Sequence, residues 1–189
     1  PGERFRNLIL NSLQYEPGVT VRRSILRNLS EKLNETVSLA VPHGTKLIYF
    51  DRLESHWPFQ ANLRVGEELP LNCCASGKMY LSTLPRDQAM SIFDRILHKG
   101  SARNTIVERI AFDKELSLVA KMGFALDDQE WFDDMVGAAV PIFAESGALA
   151  CCLSTHALAT RKPISILREE ISLMTAAAAE LRNNLITAP

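Results

Sequence analysis

The spacing of apolar residues predicts two helices near the start of the chain. The first covers residues 3–14, where apolar side chains recur at helical spacing. The second covers residues 20–34, with Thr20 as its N-cap and with its arginines facing water. The apolar stripe of this second helix consists of Val21, Ile25, Leu26, Leu29 and Leu33. Each helix is therefore expected to bury one face.

The apolar period changes after Glu35 to a pattern typical of β-strands. Four longer segments have this character: 37–41, 47–50, 135–143 and 148–155. A turn at His43-Gly44 separates the first two, and a turn at 145–147 separates the last two. Each pair therefore predicts an antiparallel hairpin. Shorter extended pieces are expected at 59–63 and 124–126.

Helical spacing returns in the second half of the chain. It predicts helices at 86–98, 113–122 and 164–186. The order of elements is then helix-helix, strands, helices, strands, helix. This order indicates an α+β architecture, in which an antiparallel sheet carries helices on one face and the terminal helices pack together.

The stretch from Leu69 to Leu81 combines an extended segment, a turn of small residues and the start of a helix. The small residues Ala75-Ser76-Gly77 let a ligand approach the backbone closely. The opening helix offers N–H groups and the positive end of its dipole, which suit a carboxylate or a phosphate. The alternative is a structural turn with Ser76 as the helix N-cap and nothing bound.

Composition narrows the class of protein without naming a function. The 189 residues are 47% hydrophobic and 23% charged, as expected for one soluble globular domain. A net charge of −1 gives no global basic field for nucleic acid. No apolar run reaches membrane-spanning length, and no signal peptide opens the chain. The adjacent pairs Cys73-Cys74 and Cys151-Cys152 suit buried thiols in a reducing, cytoplasmic setting.

Several short motifs follow one another along the chain: Val65-Gly66, Leu69-Pro70-Leu71, Ala75-Ser76-Gly77-Lys78, the stretch from Gly123 to Glu130, Ala138-Ala139-Val140-Pro141-Ile142 and Leu153-Ser154. In this order they resemble the "G…PL…ASGKA", "GYA.DDEE", "iAAPV" and "iSvSG" segments of IclR-type bacterial transcriptional regulators. The resemblance extends from about Gly2 to Leu185. Together these motifs are more specific than any one of them.

The resemblance implies an effector-binding domain with a fold similar to that of GAF domains. Residues 35–189 would form its core, and residues 1–34 its linking helix and first helix. Such regulators also carry an N-terminal winged helix-turn-helix that binds operator DNA, and that module is expected to lie outside this chain. The resemblance further implies a cytoplasmic ligand sensor that forms dimers or tetramers. It implies neither enzymatic activity nor a cofactor, metal or membrane partner.

The resemblance also implies a pocket for a small carboxylate effector. Mapped residue by residue, that pocket falls on Phe59, Ala61, Leu69, Ala75, Ser76, Asp127, Met135, Gly137, Ser154 and His156. Backbone N–H groups at 75–77 and the hydroxyls of Ser76 and Ser154 can hold the anion. Apolar walls are expected from Leu69, Met135 and Phe59.

Two of these positions depart from the family pattern. The family often has Cys where Gly137 stands, and Ser or a small residue where His156 stands. A glycine in a strand opens room, and a histidine adds a donor or a titrating group. With the small Ala61, these departures indicate a larger, partly aromatic carboxylate rather than a two- or three-carbon acid.

Other interpretations of the same residues stay open. Asp127 also suits a solvated acidic turn, His156 an exposed strand end, and Lys78 a structural role in hydrogen bonds to nearby carbonyls. An enzyme would use Cys74 or Ser76 as nucleophile, with His156 as base and Asp127 as its orienter. Zinc could bind Asp127, His156 and a cysteine, although no ligand spacing selects it. A free-standing GAF-like sensor or dimerisation module is a third class.

Overall fold

An antiparallel sheet forms the centre of the computed structural model, which describes residues 18–43, 46–58, 63–96 and 102–185. Its strands in these residues are β1 (Thr36–His43), β2 (Lys46–Leu53), β3 (Glu68–Leu69), β4 (Ala125–Asp128), β5 (Met135–Phe143) and β6 (Leu149–Leu158). Their spatial order is β3-β2-β1-β6-β5-β4. The strands of both predicted hairpins, β1–β2 and β5–β6, pair antiparallel. The α+β class with an antiparallel sheet is therefore confirmed.

The helices of the described residues lie on both faces of this sheet. They are α1 (Val19–Leu33), α2 (Ala75–Ser82), α3 (Arg86–Phe93), α4 (Arg109–Met122), α5 (Ile164–Glu169) and α6 (Ile171–Leu185). Helices α1, α5 and α6 pack on one face, and α2 packs on the other, with α4 against it. The predicted one-sided arrangement is therefore wrong. None of these helices is long and apolar enough to cross a membrane.

Each face of the sheet has its own apolar core. The face beneath α1 and α6, which we call the terminal-helix face, carries Val37, Leu39, Val136 and Leu153. The opposite face, which we call the α2 face, carries Ala40, Tyr49, Ala139 and Cys152. Burial on both faces explains why β5 is apolar at nearly every position, since an alternating pattern needs one solvated face.

A bulge in β2 changes which side chains share a face. Phe50 is an extra residue between the partners of Leu39 and Ala40 on the neighbouring strand. Phe50 packs into the core of the terminal-helix face, and Asp51 also reaches the helix on that side. Arg52 consequently returns to the α2 face, where its guanidinium meets side chains of β1 and β6.

The ion pair made by Asp51 corrects the prediction for α1. The helix begins at Val19 with Gly18 as its N-cap, so Thr20 is not the cap. Arg22 is only 1% exposed, and its Nε lies 2.7 Å from Asp51 Oδ2. The prediction that the arginines of this helix face water is therefore wrong for Arg22. A buried carboxylate such as Asp51 needs a paired charge, and Arg22 supplies it.

Two other helix boundaries differ from the prediction. Helix α4 begins at Arg109, four residues before the predicted residue 113. The predicted helix over 164–186 is interrupted at Glu170, which ends α5. Lys162 Nζ lies 2.8 Å from both carboxylate oxygens of Glu170 and also donates to a carbonyl at the end of α1. Lys162 thus holds the junction between α5 and α6 against the C-terminal end of α1.

Some predictions fall on residues that the structure does not describe. They are the helix over 3–14, most of the extended piece over 59–63, the end of the helix over 86–98, the glycine of the first hairpin turn, and the candidate pocket residues Phe59 and Ala61. These remain predictions, as does the division of the chain at residue 34.

Candidate functional site

The turn before α2 is capped by a cysteine. Cys74 is the N-cap, and its Sγ accepts a hydrogen bond from the Gly77 N–H at 3.2 Å and donates one to the Pro70 carbonyl at 2.9 Å. The proposed alternative of Ser76 as N-cap is therefore wrong. Burial raises the pKa of the Cys74 thiol well above its usual range. All four cysteines are buried and free, as predicted.

The capping bond decides which N–H groups of the turn can meet a ligand. Gly77 N–H is used by Cys74 Sγ, and Lys78 N–H is used by Cys74 O at 3.1 Å. Among the described residues, no group accepts from the N–H of Ala75 or Ser76. The Ala75 methyl packs into the core beneath α2, so Ala75 offers a ligand its main chain. The predicted set of three donors is reduced to two.

Three candidate residues form one row across the α2 face. The strand register pairs Asp127 with Gly137, and Gly137 with His156. A Cβ atom at Gly137 would lie 3.3 Å from the Thr155 carbonyl and 3.5 Å from Asp127 Cβ. Gly137 thus leaves a floor without a side chain between a carboxyl group and an imidazole. The structure brings these three predicted residues together.

Asp127 is separated from the rest of its acidic turn. Its side chain is 3% exposed, and Oδ1 accepts from the N–H of Glu130 at 2.8 Å and of Trp131 at 3.4 Å. Burial raises the pKa of Asp127 to about 7, and the charge of Glu130 adds to this while the N–H bonds oppose it. Asp133 is 57% exposed and pairs with Arg103. The solvated-turn interpretation therefore holds for Asp133 and is wrong for Asp127.

His156 lies within β6 and is half-buried, so the exposed strand-end interpretation is wrong. Its Nε2 lies 3.2 Å from Nη1 of Arg52 and 3.5 Å from the Tyr49 hydroxyl. Burial lowers the pKa of His156 to about 3, and the neighbouring Arg52 adds to the effect. Since a guanidinium only donates, Nε2 accepts and the imidazole proton belongs on Nδ1. The ring of Trp131 is nearly perpendicular to the imidazole, at 6.5 Å between centroids.

The remaining predicted residues surround this row. Ser154 pairs with Ser38 across the strands, and its hydroxyl donates to the Ser38 carbonyl at 3.5 Å. Met135 is buried two residues before Gly137 on the same strand. Ser76 is buried in the first turn of α2, and its carbonyl accepts from Cys152 Sγ at 3.7 Å. Ser76 therefore borders the row from α2, and Met135 borders it along β5.

Leu69 lines a neighbouring groove, and its place in the wall of the effector pocket stays a prediction. The groove has a volume of about 600 Å³, and its apolar lining includes Leu69, Leu71, Ile92, Ile96, Trp131 and Phe132. Trp131 therefore faces the groove and also approaches His156. The groove and the row of candidate residues are next to each other.

Sequence reasoning missed three polar or aromatic residues of this face. Tyr49, Arg52 and Trp131 all approach His156, yet none was a candidate. The predicted strand ended at residue 50, and the bulge that turns Arg52 inward has no sequence signature. An arginine just after a β-rich run was the available signal.

Lys78 is structural, as predicted, but its partners are carboxylates and not carbonyls. Its Nζ lies 2.5 Å from Glu130 Oε1 and 2.8 Å from Glu115 Oε1. Burial acts to lower the pKa of Lys78, but the two carboxylates outweigh it and the pKa is raised. Glu130 also donates its N–H to Asp127, so this ion cluster positions the site carboxyl.

Within the described residues, the four side chains named for the enzyme alternative do not form a catalytic constellation. A nucleophile must be hydrogen-bonded to its base, whereas the recorded partners of His156 are Tyr49 and Arg52. Cys74 holds a protonated thiol bonded to the main chain. Across the described residues, no group of three or more His, Cys, Asp or Glu side chains is placed to hold a metal ion.

Sequence comparison agrees with this architecture. The signature of the family described as "Bacterial transcriptional regulator IclR C-terminal" matches residues 13–181. A protein of Cupriavidus necator, named as a probable transcriptional regulator SauR, is 28% identical over 178 residues. That match covers 94% of this chain and 71% of the relative. The match to the KdgR regulator of Escherichia coli K12 is 26% identical and covers 82% of this chain but only 59% of that relative.

Solved structures share the fold. The IclR protein of Thermotoga maritima superposes with a TM-score of 0.84 at 23% identity, covering 98% of this chain and 75% of that one. An IclR homologue from Microbacterium hydrocarbonoxydans, solved in complex with 4-hydroxybenzoate, gives a TM-score of 0.79 at 20% identity. It covers 99% of this chain and 75% of that one. The chain belongs to the IclR family of bacterial transcriptional regulators, and its fold is that of their C-terminal effector-binding domain.

Proposed function

We propose that this domain binds a small, partly aromatic carboxylate on the α2 face of the sheet. The observation that carries the proposal is the row Asp127–Gly137–His156, which lies beside the start of α2. Gly137 places no side chain between the two flanking polar groups, of which Asp127 is buried and His156 half-buried. Few, well-placed polar groups around an apolar floor are typical of small-molecule sites.

Each group has a distinct part in this proposal. The N–H groups of Ala75 and Ser76, at the positive end of α2, hold the carboxylate. Asp127 in its protonated form donates to the ligand, because its pKa lies at about 7. A ring stacked above Gly137 would lie beside His156, which pairs with Gly137, and near Trp131, whose ring centroid is 6.5 Å from that of His156. The 4-hydroxybenzoate bound by the Microbacterium homologue supports this class of ligand.

The proposal extends to the complete regulator. There, the effector would modulate operator binding by a DNA-binding domain outside this chain, and the protein would act in the cytoplasm as a ligand sensor and not as an enzyme. Self-association as a dimer or tetramer is part of the proposal. Exposed apolar side chains such as Val21 on α1 and Leu173 on α6 support it, because such surface is often buried between subunits.

The proposal predicts that effector affinity increases as the pH falls from 8 to 6. An anionic ligand beside Asp127 disfavours its ionised form, so binding above the pKa of about 7 must take up a proton. Below that pKa the carboxyl is already protonated and the penalty is absent. Calorimetry with 4-hydroxybenzoate or any acid that binds should show a change of up to about tenfold per pH unit.

Asp127→Asn should remove this pH dependence, since the amide oxygen can still accept from the main chain but cannot ionise. Asp133→Asn is the matched control, because Asp133 is an exposed member of the same turn. The control should keep the pH dependence of the wild type. Equal pH dependence in wild type and Asp127→Asn would contradict the assignment of Asp127 to the site.

A further inference from the structure

An apolar groove lies next to the proposed effector site, and the proposed function leaves it unused. Its volume is about 600 Å³, and its lining includes Leu71, Ile92, Ile96, Trp131 and Phe132. A concave surface of this volume with a mainly apolar lining is typical of a small-molecule site. The groove can therefore hold an apolar group of a ligand.

Trp131 belongs both to this groove and to the surroundings of the candidate row. It lines the groove, and its ring is 6.5 Å from the imidazole of His156 between centroids. Its main-chain N–H lies 3.4 Å from Asp127 Oδ1, which holds the residue beside the row. The groove and the row therefore meet at Trp131.

Phe132 is more exposed than the other apolar side chains named for the groove. It is 43% exposed, and its ring lies 4.9 Å from that of Trp131 between centroids. Leu71 and Ile92, by contrast, belong to the apolar core and are almost fully buried. A ligand that covers Phe132 releases water from an exposed aromatic ring, so covering it is favourable.

The charged side chains at the rim of the groove have partners of their own. Lys46 pairs with Glu68. Glu67 accepts from a main-chain N–H at 2.8 Å, and Arg95 donates to the carbonyl and the hydroxyl of Ser91. A charged ligand group would compete with these contacts, whereas an apolar group covers the floor without disturbing them. The groove therefore favours a hydrocarbon group over a second charge.

We propose that the effector is an aromatic acid with an apolar substituent, and that this substituent extends past Trp131 into the groove. The inference rests on the proposed function, because the carboxylate stays at the start of α2 and the ring stays above Gly137. Trp131 and Phe132 then select a substituted acid, since an unsubstituted one leaves the apolar floor of the groove in water.

Calorimetry on the wild-type domain tests the inference with matched acids. Benzoate is compared with 3-substituted and 4-substituted benzoates that carry methyl, propyl or pentyl chains. Along at least one of the two series, the affinity should rise by up to about fourfold for each CH₂ that enters the groove. The pentyl acid of that series should bind at least about tenfold more tightly than benzoate.

Phe132→Ser tests where the chain lies. Because Phe132 is partly exposed, the variant should fold like the wild type. The pentyl acid should bind it about threefold or more weakly, while the affinity for benzoate should stay within about twofold. Leu118→Ser is the matched control, since Leu118 is 53% exposed on α4 and does not line the groove. The control should leave both affinities unchanged.

The outcomes separate this inference from the proposed function. Benzoate binding with no gain along either series would overturn the inference and leave the proposed function standing. A gain that Phe132→Ser keeps in full would also overturn it, because the chain would then lie elsewhere. Absence of binding by every acid of both series at millimolar concentration would overturn both.

Discussion

Replacing Lys78 by methionine is expected to lower the free energy of unfolding by about 3–5 kcal/mol. The Lys78 side chain is 1% exposed and holds the carboxylates of Glu130 and Glu115. Its removal leaves two partly or fully buried carboxylates beside each other. Glu130 Oε2 already has no hydrogen-bond partner among the described residues, and Lys78 is the partner of Oε1, so removing Lys78 leaves this buried carboxylate without its donor. Urea denaturation at pH 8 measures the loss.

The dependence of this loss on pH identifies its cause. Burial raises the pKa of Glu130, and Lys78 opposes that rise. Without Lys78 the pKa of Glu130 should rise further, so protonation at lower pH restores part of the lost stability. Lys78→Met should therefore be most destabilised at alkaline pH and approach the wild type as the pH falls.

Two further variants complete this experiment. Lys78→Met combined with Glu130→Gln should be more stable than Lys78→Met alone, because the second change removes a buried charge. Lys114→Met, on the exposed face of α4, should leave stability nearly unchanged. Wild-type stability of Lys78→Met at pH 8 would show that the ion cluster is not structural.

Replacing Gly77 by alanine is expected to destabilise the domain by about 1–3 kcal/mol through overpacking. A Cβ atom at Gly77 would lie 2.5 Å from Leu71 Cα and 2.6 Å from the Leu71 carbonyl oxygen. Both are backbone atoms, so the start of α2 or the preceding turn must move. This cost exceeds the gain of about 1 kcal/mol that alanine normally brings to a helix.

Gly18→Ala is the matched control, since its Cβ would meet the Asn184 carbonyl at an ordinary 3.6 Å. The control should unfold at nearly the wild-type urea concentration, whereas Gly77→Ala should unfold earlier and bind effector more weakly. Weaker binding follows because the N–H groups of Ala75 and Ser76 belong to the displaced turn. A Gly77→Ala variant as stable as the wild type would contradict this close approach.

The sequence predicted those parts of the fold in which local pattern and tertiary packing agree. Alternating apolar residues located the first hairpin, an apolar run followed by a turn located the second, and the small residues at 75–77 located the start of α2. The break of the last helix at Glu170 could not be predicted, because it depends on Lys162 reaching back to α1. Helix packing on both faces was signalled only by the unbroken apolar run of β5.

Prediction of the site was limited in the same way. The family motifs supplied Asp127, Gly137, Ser154 and His156, which the sheet register places on neighbouring strands. Arg52 was not predicted because a single extra residue in β2 decides which face it occupies. A bulge is set by pairing between strands and leaves no periodic trace in one sequence.

The most direct test of the central claim is the melting temperature of the domain with a panel of aromatic and aliphatic carboxylates. At least one acid should raise it by several degrees, since a ligand that binds only the folded state stabilises by about 2.7 kcal/mol at 100 times its Kd. Its methyl ester should not, because the start of α2 favours negative charge.

Gly137→Ala places a methyl group on the floor of the site, with its closest contact at 3.3 Å from a carbonyl oxygen. The backbone oxygen must move by a few tenths of an ångström, so the melting temperature without ligand should fall slightly, while the shift caused by the acid should largely disappear. That pair of results is what a carboxylate bound above Gly137 predicts. A shift of equal size in wild type and Gly137→Ala, or no shift with any acid, would contradict a carboxylate site on this face.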